Sequence, residues 1–187
     1  MPSTILLHPT LWRTCRVIAN RSRLRIFALL IRQPGQTVSA IADRSNLPIP
    51  VASQYLRVLE ARGLLEVRRV GRRVSYRLSS TITGGRAQGI VEAMLEVFRR
   101  DPKPVEALFK TATAFTHPRR IEIFRTIQRK PQTLHQLHDA TGIPLWTLRR
   151  HLKKLEARAF VASWSGNYVA ANRPDAFGRE LARLAAE

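Results

Sequence analysis

The chain repeats itself. Leu59-Glu60-Ala61-Arg62 recurs as Leu155-Glu156-Ala157-Arg158, 96 residues later. Upstream, Arg23-Leu24-Arg25-Ile26-Phe27 matches Arg120-Ile121-Glu122-Ile123-Phe124, and Gln36-Thr37 through Ala42-Asp43 matches Gln132-Thr133 through His138-Asp139, with Gly35 alone lacking a counterpart. Copies that run in register over roughly forty residues must each fold around a core of their own, so the chain is two units and not one large fold. Its 187 residues divide at Asp101 into units 1–101 and 102–187, both within the size range of small domains.

Apolar residues make up 44% of the chain, enough for packed cores, while no apolar run reaches the roughly 18 residues that span a bilayer. The N-terminus lacks the order of a secretory signal, and Cys15 is the only cysteine, so a reducing cytoplasm is the expected compartment. Net charge is +19, from 32 Lys plus Arg against 13 Asp plus Glu, and a chain so basic calls for an anionic partner. Nucleic acid leads, because neutralising phosphates releases condensed counterions and yields affinity before any base is read. An anionic membrane surface fits less well, since no long basic amphipathic helix stands out. Both units are basic, 17 against 6 in the first and 15 against 7 in the second. The first has no lysine at all, and arginine's planar fork suits phosphate and guanine edges, although genomic base composition yields the same bias.

Apolar spacing predicts helices over His8 to Ala19, Arg23 to Ile31, Ser39 to Ser45 and Pro50 to Arg62, the last closed by Gly63. Leu64 to Val70 and Arg73 to Leu78 are β-rich runs around a Gly71 turn, which predicts a hairpin, and Gly85 to Arg100 predicts a last helix. The second unit repeats this order, with helices near 104–115, 118–129, 134–140, 145–158 and 174–186 and strands near 160–164 and 167–171. Two helices joined by a tight turn and followed by a β-hairpin make the winged helix-turn-helix. The expected fold class is therefore mainly α with small β-hairpins, two tandem winged helix-turn-helix domains arranged as a pseudo-dimer. Ser39 to Ser45 would be the positioning helix, Pro50 to Arg62 the recognition helix and Arg68 to Arg73 the wing.

The run IADRSNLPIPVASQYLRVLEARGLLEVRRVGRRVSYRL, with its serine-bearing recognition helix, Leu59-Glu60, Gly63-Leu64, Arg69-Val70-Gly71 and Tyr76-Arg77-Leu78, resembles the ArsR family of bacterial repressors. The resemblance covers about sixty residues per copy and is stronger in the first. It implies DNA binding, and it implies dimerisation through the first and last helices of each module, both of which occur in both copies. Many relatives sense metal through a cysteine pair at the start of the positioning helix; here Thr37 and Ser39, then Thr133 and His135, stand at those positions. His135, His138 and Asp139 have a spacing a helix can focus on one ion, and equally suit a solvated surface. Glu92 and Glu96 lack histidine partners for the family's other metal site. No cofactor and no metal are expected.

On a helical wheel Ala52, Tyr55, Leu56 and Leu59 pack inward, leaving Pro50, Gln54 and Arg57 outward with Val51 and Ser53 beside them. Gln54 can pair with an adenine edge, Ser53 with base or phosphate, and Val51 with a thymine methyl. The other reading is a solvated polar face. Arg68, Arg69, Arg72 and Arg73 form the densest positive cluster and would repel one another without phosphate nearby. In the second unit Leu148, His151, Leu152 and Leu155 take the inner face; Trp146, Arg150 and Lys153 point outward, flanked by Thr147, Arg149 and Lys154. The DNA-contacting set is thus Val51, Ser53, Gln54, Arg57, Arg68, Arg69, Arg72, Arg73, Thr147, Arg149, Arg150, Lys153 and Lys154. Trp146 is either a contact surface or tucked against the neighbouring turn, and the second wing, Ser163 to Tyr168, is uncharged and about four residues shorter.

No phosphate loop or nucleophile elbow occurs and carboxylates are scarce, so no enzyme is expected. The expected partner is double-stranded DNA, read by a transcriptional regulator of the repressor class, with no membrane; a small-molecule effector stays open. Asp101-Pro102-Lys103-Pro104 is short and stiff, which favours a monomer imitating a dimer, with a true homodimer as the alternative. The competing function is a tandem winged-helix adaptor that binds proteins and only weak, nonspecific DNA, which Trp146, Trp164 and the neutral second wing would suit.

Overall fold

Five of the described helices begin where the sequence supplies a capping side chain. The computed structural model describes residues 10–79 and 86–187; His8, Pro9 and Gly85, placed at helix starts by the sequence pattern, lie outside them. The first unit runs α1 (Leu11–Ile18), α2 (Arg21–Arg32), α3 (Val38–Arg44), α4 (Ile49–Glu60), β1 (Leu65–Val70), β2 (Arg73–Leu78) and α5 (Arg86–Arg100). The second repeats it as α6 (Pro104–Ala112) with a 3-10 turn (Thr113–Phe115), α7 (Pro118–Arg129), α8 (Leu134–Thr141), α9 (Leu145–Glu156), β3 (Val161–Trp164), β4 (Asn167–Ala170) and α10 (Ala176–Ala186). Side chains of Asn20, Thr37, His117, Thr133 and Asp175 accept a backbone N–H at the starts of α2, α3, α7, α8 and α10. Expected and observed elements agree in kind and order, and differ at their ends by up to three residues.

The two copies repeat down to single hydrogen bonds. Arg23 Nε and Nη2 donate to the carbonyls of Val17 and Arg16 at the end of α1. Arg120 does the same to Ala114 and to Thr113, satisfying carbonyls that a helix end leaves orphaned. Each wing is an antiparallel pair, Leu65 opposite Leu78 through Val70 opposite Arg73, and Val161 opposite Ala170 through Trp164 opposite Asn167. A third segment joins each through a single bridge, Gln36 to Tyr76 and Gln132 to Tyr168, so both wings are fastened to their helices at the same place.

The units do not keep separate cores. Among the described residues the buried apolar side chains form one continuous cluster through both copies. The seam is made by α5 against α10 and by α6 against α1, α2 and α5. The flanking helices bring buried apolar side chains to it, among them Ile90, Val91 and Met94 on α5 and Leu181, Leu184 and Ala185 on α10. Fully burying a side chain of this kind stabilises by about 1.5–3 kcal/mol, so the seam outweighs any single surface contact. Across it, Arg21 forks onto Glu106 (2.6 and 2.8 Å) with its guanidinium 3.8 Å from the centre of the Phe109 ring. That exposed pair orients α2 against α6 more than it stabilises them.

Candidate nucleic-acid interface

In the first unit α3 and α4 pack against each other across the Asn46 turn, where φ is 49°, a backbone state asparagine tolerates better than most residues. Ala52, Leu56 and Leu59 are buried beneath α4, with Tyr55 partly buried under the Arg23 guanidinium. The opposite face is open: Pro50, Gln54 and Arg57 are exposed, and Val51 and Ser53 are half-buried at its edges. Arg57 donates to Ser53 Oγ at 3.0 Å, one turn away, so these two side chains form a single polar patch.

The first wing carries all four expected arginines in exposed positions. Strand alternation separates them. Arg68 shares the solvent-side face with Val70, Arg73 and Ser75, while Arg69 shares the other with Val67, Val74 and Tyr76. Tyr76 is buried, and burial first, then the Glu60 carboxylate, raises its phenol above the ordinary range, with Arg69 and Arg57 opposing. The charges of Arg57 on α4 and Arg69 on the wing thus both act on this one phenol. Gly71 leads the wing turn with φ 57°, the conformation a two-residue hairpin loop needs at its first position.

The second unit keeps the frame and changes the chemistry. Arg149, Arg150 and Lys153 are exposed on α9. Thr147 corrects the sequence expectation: it is only 2% exposed and belongs to the inner face with Leu148 and His151. The wheel places it at the boundary, and its small side chain is covered where the matching Val51 is only partly so. Lys154 is half-buried, and burial, then Arg158 and Arg120, lowers its ammonium below the usual lysine range, so it sits at the base of the face. Trp146 does not tuck away. It is 67% exposed with the Arg150 guanidinium 5.4 Å from its ring centre.

His151 was expected only as an inner-face residue, and its setting could not be read from one copy alone. It is 4% exposed, its ring centre is 4.8 Å from that of His117 at the start of α7, and its Nε2 has no hydrogen-bond partner among the described residues. Burial, then His117, Arg120, Arg150 and Arg119, pushes it down to about 4, so it is neutral near pH 7. The signal lay in the alignment, since His151 and His117 match Tyr55 and Asn20 of the first copy. At the starts of α3 and α8 Thr37 and Thr133 are helix caps, the latter in a reciprocal capping box with Gln136, and His138 Nδ1 is 2.9 Å from the Ile143 carbonyl. No group of three or more metal-ligating side chains is gathered among the described residues. Cys15 is fully buried, which raises its thiol and leaves it inert.

A family model described as a helix-turn-helix domain matches the chain twice, over residues 18–68 and 115–163, together more than half its length. The chain belongs to the helix-turn-helix family, of the ArsR type, in two tandem copies. Both helix-turn-helix matches run from the end of the first helix into the wing, the portion that holds the surface described above. The chain is also similar to the HTH-type transcriptional repressor SmtB of Mycobacterium tuberculosis, in strains CDC 1551 / Oshkosh and ATCC 25618 / H37Rv. Each is 36% identical over 64 residues, 34% of this chain and 47% of the relative, so the chain spans about half the length of the curated relatives it matches. No described helix is long and apolar enough to cross a membrane.

Proposed function

We propose that the chain is a DNA-binding transcriptional regulator, a repressor by class, that places two unlike winged helices on one duplex. The observation that carries this reading is the set of exposed cations in the first unit, Arg57 on the outer face of α4 and Arg68, Arg69, Arg72 and Arg73 on the wing that follows it. Gln54, Ser53 and Val51 read base edges in the major groove, while the wing lies along the backbone or in the adjoining minor groove. In the second unit Arg149, Arg150 and Lys153 grip phosphate, with Lys154 behind them. The seam supports the pseudo-dimer: one chain supplies the paired flanking helices for which the family uses two, so a monomer is the working unit. For a small-molecule effector, the seam has a cleft of about 470 Å³ lined by Val97, Leu108 and Phe177 beside Arg100, Lys110 and Asp101, where a ligand would bias the angle between units.

The test is equilibrium binding to duplex DNA over a salt series, comparing the intact chain with Arg72→Ala/Arg73→Ala. Each lost phosphate contact lowers the slope of log K against log salt by about 0.9, so the double variant is expected to lose up to about 2 in slope. Weak binding that ignores both salt and the substitutions would instead support the protein-adaptor reading.

A further inference from the structure

The two wing tips hold the same kind of side chain at the same place. Val70 occupies the last paired position before the first turn and is 62% exposed; Trp164 occupies the last paired position before the second and is 73% exposed. Both lie on the solvent-side face of their strands, since Val70 alternates with Arg69 and Trp164 with Ser163. An indole held that far into water calls for a partner, since among the described residues no hydrogen bond or ring contact holds it. Its mount is rigid. Ser165 and Gly166, at φ 48° and 77°, form a two-residue turn of the type that matches strand twist, and the Gln132 to Tyr168 bridge anchors the base of the hairpin. The wing is therefore a short, stiff arm with a flat apolar blade at its end and no charge from Ser163 to Tyr168.

Charge decides what the blade meets. On α9 the outward residues Arg149, Arg150 and Lys153 are all basic, the only acid is Glu156 at the far end, and Arg150 stacks on the second exposed indole, Trp146. Four of the unit's acids, Glu106, Asp175, Glu180 and Glu187, are engaged by arginines elsewhere. A basic surface with projecting aromatic faces suits a polyanion whose interior is a stack of rings. We infer that the second wing is an aromatic wedge: Trp164 enters the minor groove of the duplex and inserts against a base step, while α9 holds the flanking phosphates. This rests on the DNA-binding reading and deepens it. The first wing grips by charge, and the second kinks the duplex, favouring flexible pyrimidine–purine steps that no hydrogen bond reads.

Two measurements on the full chain test it, using a duplex selected from a random pool. End-labelled duplex reports bending by energy transfer, and a chain carrying Trp12→Phe/Trp146→Phe keeps Trp164 as its sole indole. The intact chain is expected to bend the duplex by tens of degrees, and the Trp164 emission to be quenched on binding as the ring stacks. Trp164→Ala is expected to bind about tenfold more weakly with the bend abolished and the salt slope unchanged, while Trp164→Phe restores part of both. The exposed side chain has no structural work to lose, so the variants fold. Unaltered bending and affinity in Trp164→Ala, or an indole emission indifferent to DNA, overturns the wedge alone and leaves Trp164 to a protein partner. Failure of the intact chain to bind any duplex overturns the DNA-binding reading itself.

Discussion

Ala159 stands where the first copy has Gly63, directly after the recognition helix. Gly63 has φ 68° there and Ala159 has φ 53°, and only glycine enters that region without a Cβ penalty. The second copy therefore carries local strain that the first does not. Ala159→Gly is expected to stabilise the chain by about 1 kcal/mol, the relief of the left-handed conformation less the extra freedom glycine gains when unfolded. Thermal unfolding of the single variant checks this, and a lowered melting temperature would contradict it. A similar residue-level comparison explains Thr147. Position on a wheel separates faces by angle, whereas burial also depends on side-chain size and on what lies across the boundary, which one helix does not contain.

Between elements, the recognition helix of the second unit is tied to its neighbour by chemistry the first does not use. His151 on α9 meets His117 at the start of α7, with Arg119, Arg120 and Arg150 near them. Folding holds His151 neutral down to about 4, well below the ordinary histidine value of 6.5. Below 6.5 the unfolded chain takes up a proton that the folded one refuses, so this stabilisation is full above 6.5 and is lost as the pH falls towards about 4. His117 is lowered for the same first reason, burial, and acts in the same sense. Between neutral pH and about 4 the melting temperature is expected to fall less in His151→Leu than in the parent; an equal fall would show that the pair contributes nothing. Elements of this kind were legible in the sequence, because repetition, apolar spacing and Pro and Gly stops are local signals. The arginine wing was legible too. The His151 contact and the tip position of Trp164 were not, since both depend on pairing between segments: one needs the start of α7 brought to α9, the other the strand register.

At the scale of the whole molecule, fusion determines what the copies are free to become. The flanking helices α5 and α10 pack on each other, and the buried apolar cluster runs continuously through both copies. A homodimer must keep identical reading surfaces; two copies in one chain need not. The differences in charge lie at the surface, in an arginine wing against a tryptophan wing and in α4 against the more basic α9, while caps, bridges and helix-end bonds are retained. On the proposed reading the preferred site is expected to be an imperfect inverted repeat with half-sites about one helical turn apart, or a multiple of it. The most direct measurement is the stoichiometry of the chain on its selected duplex, taken as the molar mass of the complex together with a hydroxyl-radical footprint. One chain per duplex, protecting two stretches of unequal extent about one turn apart, is the expected result. Two chains per duplex with two equal footprints would contradict it, because the halves of one chain would then not be reading the two halves of one site.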